Sequence, residues 1–422
     1  MKKYILLSLL LLCFTGCFNV REKKNTHIKN IFTFPIGYDK EELGFLPEKR
    51  ASDAALDFCY NNGFFYISDK INNKILKVTE TGVIILTIYN QENYPHLVPN
   101  GSDADDFDSE AAANSSDSYE YLKLYSSYPL EQPGAIAADI EKNIYVVNRE
   151  PLHKKYGEQN LIEDEFILKF DSHGKLVYKI GKNGCSTLLG ENIEPFNYVS
   201  KVATDINSNL IVIEGYSEDL KIFKYSKDGK LLCQTVLSKN KLPLSKNELN
   251  GIILLIDAVP GYLENEVLVI YQFVSRETTN SIELFQLEYE KIFRYNIKDD
   301  KIDKMLLKTS PEYEDLSKLK FNPAVTELYG DMKRIQRPMP TFIGCDSYNN
   351  IYMYQEKLPL DSLIIKDFRL MKYNENGRME SLHHIRFNYD VVYNSDMYLT
   401  NNGRVLSYIV KENEVTFVSV ND

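Results

Sequence analysis

Glycine is scarce in this chain, 20 residues in 422. A fold built on glycine-rich phosphate loops is not suggested. No G-x-x-x-x-G-K-[ST] run occurs, and I-G-K-N-G-C-S at 180–186 has the wrong order. G-x-S-x-G and H-E-x-x-H are also missing. None of the six cysteines stands in C-x-x-C spacing, which argues against a thioredoxin-like or zinc-ribbon site. The only adjacent histidines, His383 and His384, would point to opposite faces of a strand and not share a metal. Positive charge is in deficit: 49 Lys and Arg against 60 Asp and Glu leave a net charge of −11. That balance argues against a nucleic-acid surface. Beyond the amino terminus no apolar run is long enough for a membrane-spanning helix.

Aromatic residues are plentiful, with 30 Tyr and 21 Phe. Such residues favour pleated, half-buried surfaces, and the reading is an aromatic-rich β fold. Hydrophobic residues at 44% and charged residues at 26% exclude wholesale disorder.

The amino terminus reads as an address. Lys2 and Lys3 precede an apolar run from Tyr4 to Phe14. The run has signal-peptide proportions and is too short to span a bilayer. Thr15-Gly16-Cys17 follows it. Small residues before a cysteine at the end of such a run resemble the lipobox of bacterial lipoproteins. The resemblance implies cleavage before Cys17 and acylation of that residue. Several acyl chains anchor stably where one does not. The expected organisation is a lipoprotein signal peptide at 1–16, a lipidated tether at 17–30 and a globular body at 31–422. Its expected place is the bacterial cell envelope, at the periplasmic leaflet or the cell surface, held to the membrane through Cys17. The four cysteines within the body, Cys59, Cys185, Cys233 and Cys345, allow three pairings; buried free thiols are the plainer reading.

A phrase recurs along the body. Ile75-Leu76-Lys77-Val78, Ile167-Leu168-Lys169-Phe170, Ile222-Phe223-Lys224-Tyr225, Ile292-Phe293-Arg294-Tyr295 and Leu370-Met371-Lys372-Tyr373 each run into a polar turn. Val405-Leu406-Ser407-Tyr408 is a degenerate sixth copy. Gly82, Gly174, Gly229 and Gly377 suit turn positions with positive φ. Upstream, a segment with Asp precedes another apolar strand, at Asp57, Asp139, Asp205, Asp257 and Asp346. Asn143, Asn209 and Asn350 follow as turn residues that tolerate left-handed geometry. Each unit is therefore four strands in meander order.

The strands are apolar on both faces, so each sheet must be sandwiched. Four-stranded antiparallel units covering one another radially make a β-propeller. The predicted fold is all-β, a six-bladed propeller, although the length leaves room for seven. Ile31 to Gly37 matches a fourth strand with no preceding three, and is expected to close the last blade against the C-terminal unit, removing an exposed edge. The order I-G-x-x-G, spacer, P-x-x-I-A-x-D, N-I-Y-V, I-x-K-F-D-x-x-G-K resembles the NHL-repeat family of propellers, including that kind of spirochaetal lipoprotein. The resemblance implies the propeller fold and no particular activity.

Chemistry-bearing candidates are few. The repeating Asp residues read as turn residues, because every unit has one. The repeating basic residues read as stems laid over a neighbouring blade. Residues 90–131 form an insertion, and its segment Glu92 to Leu122 carries eight carboxylates and no Lys or Arg. A calcium loop starting at Asp106 would place Ala111 where glycine is needed, so a mobile acidic loop is the preferred reading. Lys239 to Leu249 and Pro311 to Met332 are expected to hold short helices. A ligand rim is expected after the second strand of each unit, at Asn148, Arg149, Glu150, Glu214, Tyr216 and Glu356. No cofactor, metal site or catalytic residue is predicted. The expected role is a binding or scaffolding module for an unidentified protein or small molecule. The alternative is a lactonase-like hydrolase with a metal at the central rim.

Overall fold

The structure, a computed structural model, describes residues 21–23, 28–45, 56–97, 123–151, 163–186, 193–215, 219–279, 282–315, 334–356, 367–387, 393–394 and 397–421. Cys17, Tyr216 and residues 98–122 of the acidic segment lie outside them.

Two strands precede the ring, β1 (Arg21–Lys23) and β2 (Lys29–Pro35). Blade 1 holds β3 (Leu56–Asn61), β4 (Phe64–Asp69), β5 (Lys74–Thr79) and β6 (Ile84–Tyr89), with β7 (Leu124–Ser127) laid parallel on β6. Blade 2 holds β8 (Ile136–Ala138), β9 (Ile144–Pro151), β10 (Glu163–Phe170), β11 (Leu176–Gly181) and an outer β12 (Gly184–Ser186). Blade 3 holds β13 (Val199–Thr204), β14 (Leu210–Glu214), β15 (Asp219–Tyr225) and β16 (Leu231–Ser238). Blade 4 holds β17 (Ile252–Pro260), the long pair β18 (Glu266–Thr279) and β19 (Ile282–Asn296), and β20 (Lys301–Thr309). A small ladder, β21 (Tyr313–Asp315) with β22 (Arg334–Gln336), follows. Blade 5 holds β23 (Thr341–Cys345), β24 (Ile351–Glu356), β25 (Asp367–Tyr373) and β26 (Met379–Arg386), with β1 parallel on β26. Blade 6 holds β27 (Tyr393–Asn394), β28 (Tyr398–Leu399), β29 (Val405–Val410) and β30 (Glu414–Ser419), and β2 completes it.

The result is a six-bladed β-propeller. Six apolar clusters occupy the six junctions between successive blades, which closes the ring. The central strands are buried on both faces for this reason: Leu210 to Ile213 of β14 have no measurable exposure. Burying one such side chain contributes roughly 1.5–3 kcal/mol. The closing contact is the one expected of the orphan N-terminal strand. β2 pairs antiparallel with β30, Thr33 opposite Thr416, and their hydroxyls lie 3.0 Å apart. Within the stretch read as a tether, residues 21–23 also enter a sheet.

Turn chemistry sets the blades. In blade 2 one Asp139 oxygen accepts the N–H groups of Glu141 and Asn143, both at 2.9 Å. The other accepts Asn143 Nδ2 at 2.8 Å and Tyr145 Oη at 3.2 Å. Asp346 repeats all four contacts with Tyr348, Asn350 and Tyr352. Asp205 repeats three of them with Asn207 and Asn209. The left-handed residue is the one before each Asn: Lys142, Ser208 and Asn349 have φ of 69°, 62° and 63°. The asparagines themselves instead tie their amides to the aspartate. Gly82, Gly174, Gly229 and Gly377 do sit at positive φ.

Two repeat aspartates depart from this reading. Asp57 lies inside β3, because blade 1 turns on Asn62 and Gly63 instead. Asp257 lies at a register shift within β17. Of the expected helices, Lys239–Lys241 and Glu248–Asn250 are single 3-10 turns; in the second segment residues 313–315 form a ladder, and residues 316–332 lie outside the described residues.

The recurrent basic residue reaches the next blade. Lys77 Nζ lies 3.5 Å from the Ser172 carbonyl, and Lys169 Nζ donates to the Lys227 carbonyl at 2.6 Å. Lys224 donates to Asn265 Oδ1 and Arg294 to Asn349 Oδ1, both at 2.7 Å. The four body cysteines form no disulfide, and each packs at a different junction, so no two of them share one.

The two ends of the ring differ. At one end the connections between first and second strands, and between third and fourth, are two to five residues long. Every long connection lies at the other end.

Candidate functional site: the central channel

The first strands, β3, β8, β13, β17, β23 and β28, line a central channel of about 940 Å³. Small residues are part of its lining, among them Ala203 and Gly344. Six tyrosines reach the lining as well: Tyr60, Tyr198, Tyr262, Tyr354, Tyr398 and Tyr408. Neighbouring first strands are tied across the blades. Asn61 Nδ2 and Thr204 Oγ1 both donate to the Ala138 carbonyl, at 2.6 and 2.9 Å. Tyr398 Oη donates to the Tyr60 carbonyl at 3.3 Å. The wall is therefore preformed.

Charge in the channel is sparse and placed. Lys201 lines it and forms an ion pair with Asp257 of the next first strand. Both side chains are about one-third exposed, so the pair contributes about 1 kcal/mol at most to stability. Its consequence is a cation in the channel wall held in place by a carboxylate of the next blade. Asp57 faces the channel from blade 1. Arg149 donates through Nε to Glu165 Oε1 at 2.7 Å and lies over the Tyr198 ring, 5.5 Å from its centroid. Burial, reinforced by a 2.6 Å hydrogen bond to Glu80, pushes the Tyr60 hydroxyl up to about 12. Burial likewise pushes up the Cys59 thiol and the Tyr398 hydroxyl, so all three stay protonated near neutral pH.

The rim expected from the sequence divides. Arg149 and Glu356 line the channel. Asn148 and Glu214 are buried latches. Asn148 Oδ1 accepts the Glu131 N–H at 2.9 Å, and Glu214 Oε1 accepts the Asn197 N–H at 2.6 Å. Gln355 and Asp69 do the same from equivalent positions, to the Pro338 carbonyl and the Gly44 N–H, both at 2.9 Å. Each end of a second strand thus holds the loop that leads into a first strand. Such loops leave backbone groups that need partners, which is why polar residues recur there. Glu150 is engaged by Lys179 at 2.7 Å. The channel tyrosines and Lys201 were not singled out in the sequence. A lone Lys inside V-S-K-V-A-T was the available signal.

Among the described residues no three His, Cys, Asp or Glu side chains converge as a metal site requires. No family model matches the chain. No curated protein matches it by sequence. Similar solved structures include a polysaccharide lyase, at 7% identity and TM-score 0.44, covering 93% of this chain and 100% of that one. A dihydro-heme d1 dehydrogenase is similar at 9% identity and TM-score 0.35, covering 87% and 63%. A 6-phosphogluconolactonase candidate from Bacteroides fragilis is similar at 10% identity and TM-score 0.33, covering 86% and 92%.

Proposed function

We propose that this chain is a lipid-anchored protein of the bacterial envelope, and that its NHL-like propeller is a binding module. The channel is its ligand site. The observation that carries the reading is the channel itself: a preformed space of about 940 Å³, lined by tyrosines, small residues and Lys201, which Asp257 holds in place. Ligand sites are concave and carry a few fixed polar groups that orient what binds. Tyrosine faces suit the flat apolar side of a ligand, and Lys201, held by Asp257, suits its polar edge. The ligand class that fits is a small polar organic molecule with an apolar face. Lipidation at Cys17 holds the module at the membrane.

The test uses the full chain expressed with its leader. Cys17→Ser is expected to release the protein from the detergent phase, and unchanged partitioning overturns the anchor. Ala203→Trp places a bulky ring in the channel wall. Small molecules that raise the melting temperature of the wild-type protein are expected to have no effect on this variant. Stabilisation that survives the plug shows that the channel is not the site.

A further inference from the structure

The end of the ring with short turns has two features that the binding role leaves unused. The first is the path of the chain toward Cys17. β1 is parallel to β26, with Arg21 beside Ser381 and Lys23 beside His383. β26 rises from the turn at Asn374–Arg378, so β1 also rises from that end. Ser381 stands only two residues beyond Met379, where β26 begins. Cys17 precedes Arg21 by four residues, a span of up to about 14 Å of extended chain. That reach allows acyl groups on Cys17 to meet the turn end. The C-terminal strand β30 runs toward the same end.

The second feature is apolar. The first turns of blades 2, 3, 4 and 5 expose Ile140, Ile206, Leu263 and Tyr348, by 57%, 43%, 36% and 74%. Tips of polar turns have no structural need for such residues. The turns carrying them are braced to their neighbours. Asn62 Nδ2 donates to the Ile140 carbonyl at 3.2 Å. The Ile206 N–H donates to the Tyr262 carbonyl at 3.0 Å, and the Ser347 N–H to the Asn401 carbonyl at 2.8 Å. Charges on this end are of both signs; Lys227 and Glu141 of adjoining blades pair at 3.8 Å. The tips form a fixed apolar set around one mouth of the channel.

We propose that this end, toward which the chain leads back to Cys17, lies on the lipid bilayer, with the tips Ile140, Ile206, Leu263 and Tyr348 as its membrane-facing surface. The proposal rests on the lipid-anchor reading given above. Apolar side chains that sit at the headgroup–acyl boundary, with a tyrosine among them, suit this geometry. The bilayer then covers one mouth of the channel. Ligand reaches it from the other end, where the second strands finish and Arg149 and Glu356 stand.

The chain contains no tryptophan, so one introduced ring is a unique reporter. Full-length acylated Tyr348→Trp and Tyr38→Trp are reconstituted into phosphatidylcholine vesicles with brominated acyl chains. Tyr38 is 69% exposed, beyond the end of β2 at the opposite end of the ring. Emission from Tyr348→Trp is expected to shift to the blue and be quenched, and that from Tyr38→Trp to stay unchanged. If both variants float with the vesicles and Tyr348→Trp is not quenched, the orientation is wrong and the anchor stands. If Cys17→Ser, combined with Tyr348→Trp, floats and is quenched as before, the orientation stands and the anchor reading fails. If the acylation-competent chain does not float at all, both are overturned.

Discussion

Phe32 of β2 stacks on Phe417 of β30, their ring centroids 4.8 Å apart and their planes inclined by 28°. The two residues come from opposite ends of the chain, and Phe65 of blade 1 meets Phe32 edge-on at 4.9 Å. One ring therefore joins the last blade to the first. Phe32→Ala is expected to cost about 3–5 kcal/mol, the usual range for a buried phenylalanine. Removal of residues 18–37 is expected to expose blade 6 to protease and destabilise the whole body. Urea denaturation and limited proteolysis read both effects. A truncated protein that melts like the full chain would show that closure contributes nothing.

Glu290 gives a stability with a definite pH slope. The residue is 4% exposed, and Gln272 Nε2 donates to its carboxylate at 3.1 Å. Burial pushes it up from 4.5 to about 7. Between those values the folded chain keeps a proton that the unfolded chain has lost, so stability falls as pH rises through the window. The full difference is on the order of 3 kcal/mol. Glu290→Gln is expected to flatten the slope between pH 4.5 and 7. Glu248 acts in another window. Burial pushes its carboxyl up, but hydrogen bonds from Lys291, Ser245 and Tyr271 outweigh burial and hold it at about 2. Its stabilisation is present above 4.5 and is lost as pH falls toward 2. Chemical denaturation across pH separates the two groups.

Asp139 and Asp57 look alike in the sequence and should respond differently. Asp139→Ala leaves two N–H groups, an amide and a hydroxyl without their acceptor, and is expected to cost about 3 kcal/mol. Asp57 is exposed in the channel, so Asp57→Ala is expected to stay within about 0.5 kcal/mol. Equal losses in denaturant titration would contradict the assignment of one to a turn and the other to the channel.

Gly403 and Gly63 both have a φ of 83°. A Cβ on Gly403 would lie 2.4 Å from Tyr352 Oη, which is itself bonded to Asp346, whereas a Cβ on Gly63 would meet nothing within 4 Å. Gly63→Ala is expected to cost about 1 kcal/mol for the backbone conformation alone. Gly403→Ala adds a clash at the blade 5–6 junction, and is expected to cost about 1–3 kcal/mol more. Melting curves of the two variants decide it.

The parts of the fold legible in the sequence are those held by local bonds. An aspartate whose acceptors are filled two and four residues later makes the same turn wherever it falls, as Asp139, Asp205 and Asp346 do. Glycines at the hairpin tips behave likewise. A repeat of such turns with apolar strands between them specifies blades, and blades apolar on both faces specify a ring. Even the orphan strand at Lys29–Pro35 was readable, because a fourth strand without three others must find them elsewhere. The site was less legible. Asn148 and Glu214 stand where a ligand rim was expected, yet bind the backbone of incoming loops. Asp257 carries the repeat pattern, yet meets Lys201 of another blade.

The sequence alone determined the strand order, most of the turns and the closure of the ring, because each follows from residues a few positions apart or from a repeat that must be completed. Only the tertiary structure decided which tyrosines and charges face the channel, and which turn tips share one end of the ring. Those groups come from different blades, with tens to hundreds of residues between them. Their company is set by radial packing, which a strand's own pattern does not encode.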